Sequence, residues 1–121
     1  MVTVGLIGAI PLVAFAAYQL TLHLILADDH VAFDHYVMMA AGLVTIGIGA
    51  VLASMKPTGW RFLAYGSAAL LTLIAVASIA FPEPAQGVNF GIVGGILALV
   101  WVAVYLGVAE GRITPWAAPS P

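Results

Sequence analysis

The polar residues between the first two apolar stretches of the chain are those whose types could do chemistry. Imidazole and carboxylate side chains together bind zinc, copper or iron, and they also relay protons. One further histidine lies one to two helical turns before this segment, near the same predicted membrane surface. The candidate metal ligands are His23, His30, Asp34 and His35.

The spacing of these candidates leaves two interpretations open. If the second helix begins near Asp28, His30 and Asp34 fall on one face of it, and the hairpin would bring all four candidates together. The plainer interpretation is that Asp28 and Asp29 cap this helix and that the other residues form a solvated loop. The spacing matches no established metal signature such as His-Glu-x-x-His. A transition metal therefore stays a hypothesis.

Binding of haem b would require a particular arrangement of histidines. It requires two axial histidines at equal depth on facing helices. Only His23 lies clearly inside an apolar stretch. A transition metal and haem both stay hypotheses, and bound lipid is the one non-protein component that we expect.

Four apolar stretches of membrane-spanning length must position these residues. The chain has 121 residues, of which 64% are hydrophobic and 7% charged, against about 25% charged in soluble domains. A bilayer core about 30 Å thick needs about 20 apolar residues of helix. The stretches cover roughly residues 3–26, 36–55, 62–81 and 90–109, followed by a tail at 110–121. The charged residues are confined to the three gaps and the tail: Asp28, Asp29, Asp34, Lys56, Arg61, Glu83, Glu110 and Arg112.

The sequence predicts an all-α, multi-pass integral membrane protein with one membrane domain covering residues 1–121. Short gaps favour an up-down-up-down antiparallel bundle of four transmembrane helices. The Lys56–Gly59 segment, with Pro57, ends the second helix. Bulky rings are expected as interface anchors at the span ends: Tyr36, Trp60, Phe81, Phe90 and Trp116.

The basic residues predict the orientation of the bundle. Lys56 and Arg61 flank the second gap, Arg112 follows the fourth stretch, and the other two gaps contain neither lysine nor arginine. The positive-inside rule therefore predicts that both termini are cytoplasmic. The abundance of Ala, Gly and Val with a single Lys favours a high-GC prokaryotic genome, and hence a prokaryotic cytoplasmic membrane.

Small residues at helical spacing predict where the helices pack closely. Gly49 with Ala53, and Gly91 with Gly95, form small-xxx-small patterns that allow close approach of two backbones. Gln19 lies one turn before His23, and polar side chains within a span usually face other helices. We therefore expect Gln19 to mark a packing face.

Composition also excludes several classes of function. The short gaps leave no room for a soluble domain, and three basic against five acidic residues argue against nucleic-acid binding. No catalytic serine arrangement, phosphate-binding loop or pair of intramembrane carboxylates is present, so we expect a non-catalytic protein.

Three functional hypotheses remain. The favoured one is an accessory subunit that packs against larger subunits of a membrane complex, with respiratory or other electron-transfer complexes as a natural host. The second is a homo-oligomeric channel or transporter, which is weakened by the shortage of mid-membrane polar groups. The third is a His-dependent metal-binding or haem-binding redox subunit. Membrane lipids, larger subunits or further copies of the chain are the expected partners.

Overall fold

The computed structural model describes residues 1–82 and 89–113, and every regular element within them is a helix. Four of the helices are long and apolar enough to cross a membrane, as expected of a multi-pass integral membrane protein. Glu83, Trp116 and the tail beyond residue 113 lie outside the described residues. The elements in chain order are α1 (Val2–Ile25), α2 (Asp29–Ala32), α3 (His35–Ser54), α4 (Trp60–Ala80) and α5 (Gly91–Ala109).

The turn between α3 and α4 follows the expected chemistry. Lys56 and Gly59 both have positive φ, at 51° and 81°, and Pro57 between them cannot donate a backbone hydrogen bond. The left-handed conformation is accessible to glycine at no steric cost. This turn therefore ends α3 at Ser54 and starts α4 at Trp60.

The structure shows where the second spanning helix begins. Asp28 caps only the four-residue helix α2, and the spanning helix α3 begins later, at His35. The two helices are separated by Asp34, whose backbone is left-handed (φ 56°, ψ 22°). Because a left-handed residue interrupts a right-handed helix, His30 and Asp34 do not lie on one face of a single helix.

The long helices pack in chain order. Helix α1 packs along α3, α3 along α4, and α4 along α5, whereas α1 and α5 touch at few positions. One of these is the indole of Trp101, which lies against Gly8 and whose Nε1 donates to the Val4 carbonyl at 3.3 Å. The bundle therefore has three closely packed seams and one open seam.

The interior of the bundle consists mainly of alanine and leucine, with a few other aliphatic residues and two tyrosines. Leu43, Tyr36 and Tyr105 are fully buried. The Tyr105 hydroxyl donates to the carbonyl of Ala50, at 2.9 Å. Burying a hydroxyl in an apolar interior requires such a partner, so this tyrosine ties α5 to α3.

Candidate functional site

The outer-loop cluster, defined here as residues 28–36, contains most of the candidate metal ligands. Asp28 Oδ1 accepts from the Val31 amide at 2.9 Å, and Asp28 Oδ2 accepts from the Tyr36 hydroxyl at 3.1 Å. Partial burial raises the pKa of the Asp28 carboxyl, but these hydrogen bonds and the nearby His30 outweigh it, so the pKa lies below its ordinary value. Asp28 therefore stays ionised and links α2 to the start of α3.

The structure places Tyr36 in the interior of the bundle. The sequence suggests an interface anchor at this position, yet the residue is fully buried. Its hydroxyl donates to Asp28, the residue that caps α2. The ring of Tyr36 also lies 5.8 Å from that of His30, measured between centroids.

Two histidines of the cluster are neighbours. The ring centroids of His30 and His35 are 5.5 Å apart, with the ring planes at 76°. The ring of Phe33 stacks on His35 with centroids 5.9 Å apart. His30 is half-buried and His35 is exposed. Of the four candidate ligands, His30 and His35 are therefore the two whose rings are in contact.

The other two candidate ligands, Asp34 and His23, lie in different environments. Asp34 is exposed, while His23 lies in the last turn of α1 and is half-buried. Its Nδ1 atom is buried and has no hydrogen-bond partner among the described residues. Within residues 1–82 and 89–113, no three His, Asp or Glu side chains form a group that could hold a metal ion.

The predicted packing residues lie at different seams. Gly49 lies against Ser67 of α4, and a side-chain carbon on Gly95 would come within 2.7 Å of the Ala75 carbonyl of α4. Ala53 and Gln19 are fully buried. Gly91 differs, because it begins α5 with φ 66° and nothing lies within 4 Å of the position that a side-chain carbon would take.

The opposite end of the bundle is basic and aromatic. Lys56 Nζ and Arg61 Cζ lie 5.0 and 5.2 Å from the ring centroid of Trp60, within the range of cation–π attraction. Lys56 Nζ also donates to the carbonyl of Ala109 at 3.1 Å. A cation is favourable at the carboxyl end of a helix, so Lys56 stabilises the end of α5.

Arg61 holds the carboxylate that follows α5. Its Nε and Nη2 donate to the two carboxylate oxygens of Glu110, at 3.0 and 3.1 Å. The Arg61 hydrogen bonds lower the pKa of the Glu110 carboxyl below its ordinary value, against the opposing effect of burial. This two-point contact joins α4 to the end of α5.

Sequence reasoning missed the open seam between α1 and α5, called here the α1–α5 groove. It has a volume of about 430 Å³, within the range of about 300–1,000 Å³ typical of ligand pockets. Its lining is apolar and consists of Ile7, Gly8, Pro11, Leu12, Phe15, Leu71, Phe90, Gly94, Leu97, Ala98 and Trp101. The available signal was the small or helix-disrupting residues at Gly8 and Pro11 of the first stretch and at Gly94 and Ala98 of the fourth.

Three aromatic rings form part of the lining of this groove. Phe15 and Phe90 meet edge to face with centroids 5.2 Å apart, and Trp101 lies over Gly8. Ring contacts of this kind hold side chains in defined positions.

Comparisons with models of protein families, with curated proteins and with solved structures find no match to this chain.

Proposed function

We propose that this protein is a small, non-catalytic accessory subunit of a larger membrane complex in a prokaryotic cytoplasmic membrane. The observation that carries the proposal is the α1–α5 groove, which leaves the first and last spanning helices largely unpaired with each other. A transmembrane helix of a larger subunit is the occupant that this groove suits best.

The chemistry of the groove favours a protein helix over a lipid tail. Pro11 has no N–H and cannot donate to the carbonyl of Ile7, one turn earlier on the same face. Both residues line the groove. In hydrocarbon, a carbonyl released in this way is normally satisfied by a neighbouring helix or by its Ser and Thr hydroxyls. An acyl chain has no donor, whereas a partner helix can supply one.

The proposed topology is an up-down-up-down antiparallel bundle with both termini cytoplasmic. In support, Gly5 lies against Ser54 while Ala9 lies against Gly47, so position increases along α1 as it decreases along α3. Lys56 lies near the end of α5, so the basic turn and the end of the fourth span share one face of the bundle. The positive-inside rule assigns that face to the cytoplasm.

The direct test is to extract the protein from native membranes in a mild detergent and identify what co-migrates with it. Stoichiometric recovery with larger membrane subunits supports the accessory role. Migration alone, either as a monomer or as a closed homo-oligomer, contradicts it, and the homo-oligomer favours the channel or transporter hypothesis.

A matched pair of variants tests the groove itself. Ile7 and Ile10 are both exposed, at 59% and 67%, on the same helix, but only Ile7 lines the groove. Ile7→Trp should fill the groove and release the larger subunits, whereas Ile10→Trp should leave them bound. If both variants retain the larger subunits equally, the groove is not the binding site for them.

His23→Leu separates the accessory role from the redox and transport alternatives. An accessory subunit should assemble at least as well with leucine, because the buried imidazole nitrogen is then removed. A loss of the complex's activity while the assembly stays intact would instead favour a chemical role for His23.

A further inference from the structure

We infer that His30 and His35 form a two-imidazole binding site for a divalent transition-metal ion at the outer surface of the bundle. The inference concerns the outer-loop cluster and is independent of the α1–α5 groove. It goes beyond the accessory role, because a metal site can be present whether or not the chain has a larger partner.

The geometry of the pair suits a shared ion. With metal–nitrogen bonds of about 2.0–2.1 Å at a tetrahedral angle, two imidazoles on one ion place their ring centroids about 5 Å apart. The centroids of His30 and His35 are 5.5 Å apart. His35 is exposed, so a small rotation of its side chain closes the difference.

The burial of His30 provides a second, independent observation. Its Nδ1 atom is buried and has no hydrogen-bond partner among residues 1–82 and 89–113. A buried polar atom without a partner is destabilising. If Nδ1 is the ligating atom, the ion becomes its missing partner.

The electrostatics of the cluster favour a cation. Asp28, Asp29 and Asp34 lie within the same short segment as the histidine pair. Asp28 already uses both carboxylate oxygens as acceptors, for the Val31 amide and the Tyr36 hydroxyl. It therefore attracts a cation without needing to bind it directly.

The local fold brings the two histidines together. Asp28 caps α2 and fixes its first turn, and the left-handed backbone at Asp34 interrupts the helix before α3. A continuous helix would instead direct residues 30 and 35 to different faces, because five positions correspond to about 500° of rotation. Asp28 and Asp34 are thus positioning residues for the pair.

A site with two imidazole ligands, in which water fills the remaining coordination positions, should bind divalent metal ions in a definite order of affinity. Imidazole suits Cu²⁺, Ni²⁺ and Zn²⁺, and the divalent series places Cu²⁺ above Ni²⁺ and Zn²⁺ and all three above Mn²⁺. Mg²⁺ prefers oxygen ligands and should not compete. Acidification should weaken binding, since protons compete for the same nitrogens.

The test uses the full chain in detergent, without a polyhistidine tag, titrated with Cu²⁺ and followed by electron paramagnetic resonance. One bound Cu²⁺ with two nitrogen ligands is the expected result. His30→Gln and His35→Gln should each leave a single nitrogen ligand, and the double variant should lose the site. His23→Gln is the matched control and should leave the spectrum unchanged.

Circular dichroism and sizing establish that each variant is folded before its spectrum is compared. A two-nitrogen spectrum that survives the double substitution overturns the inference. So does a site that His23→Gln abolishes, or the absence of stoichiometric Cu²⁺ binding to the folded wild type. None of these outcomes bears on whether larger subunits co-migrate with the chain.

Discussion

The hydroxyl of Tyr105 donates a 2.9 Å hydrogen bond to the backbone carbonyl of Ala50, and both residues are fully buried. The same carbonyl accepts from the Ser54 hydroxyl at 2.7 Å. One backbone oxygen of α3 therefore receives a donor from α5 and another from its own helix. This contact spans the bundle interior, and the rings of Tyr105 and Trp101 stack beside it.

Tyr105→Phe should destabilise the bundle by about 1 kcal/mol, the usual contribution of a hydrogen bond between membrane helices. The aromatic ring and its packing are retained, so the loss reports the hydroxyl alone. The measurement is unfolding in a detergent titration followed by tryptophan fluorescence. Tyr65→Phe is the control, because Tyr65 is exposed and its 3.3 Å contact with Glu110 should contribute little. Equal losses in the two variants would contradict the role of the Tyr105 contact.

Gly95→Ala should destabilise the protein by about 1–3 kcal/mol. Its new carbon would come within 2.7 Å of the Ala75 carbonyl, which is backbone and cannot move without separating α4 from α5. Gly66→Ala is the matched control, since nothing lies within 4 Å of its new carbon. This second change should be neutral or stabilising by up to about 1 kcal/mol through helix propensity. In thermal unfolding of both variants in the same detergent, only Gly95→Ala should lower the Tm, and an equal fall in both variants would count against the close approach.

The ion pair between Arg61 and Glu110 should make the folded protein less stable as the pH falls. The pKa of Glu110 is lowered in the folded protein, so its contribution is present above the ordinary pKa of glutamate and is lost as the pH falls through the lowered value. Thermal stability compared between about pH 7 and about pH 3 should fall more in the wild type than in Glu110→Gln. Identical pH profiles in the two proteins would show that the pair does not contribute in solution.

Asp34→Val should destabilise the outer loop by about 1–2 kcal/mol, because a β-branched residue is strained in the left-handed region. Asp34→Asn should be close to neutral, since asparagine tolerates this conformation. Hydrogen exchange at the first turns of α3 measures the local effect and compares the two variants directly. If both variants exchange alike, Asp34 does not hold a left-handed conformation in the native protein.

The four long helices could be predicted from hydropathy and turn chemistry. The predicted span at residues 62–81 differs from Trp60–Ala80 by one or two positions at its ends, because an interfacial tryptophan can join the first turn of a helix. The outer loop could not be predicted in the same way. Caps such as Asp28 are visible in a sequence, but nothing in the spacing shows that Asp34 adopts the left-handed backbone that separates α2 from α3.

Hydropathy along the chain is enough to predict both the apolar helices of membrane-spanning length and the positions of the charged residues outside them. Both follow from the free energy of transferring each residue from water to hydrocarbon, because this free energy can be summed over neighbouring residues of the sequence. Three results needed the packed structure: the contact between His30 and His35, the hydrogen bond from Tyr105 to Ala50, and the sparse contact between α1 and α5. Those outcomes depend on the rotation and register of each helix, which are set by close packing between residues far apart in the sequence.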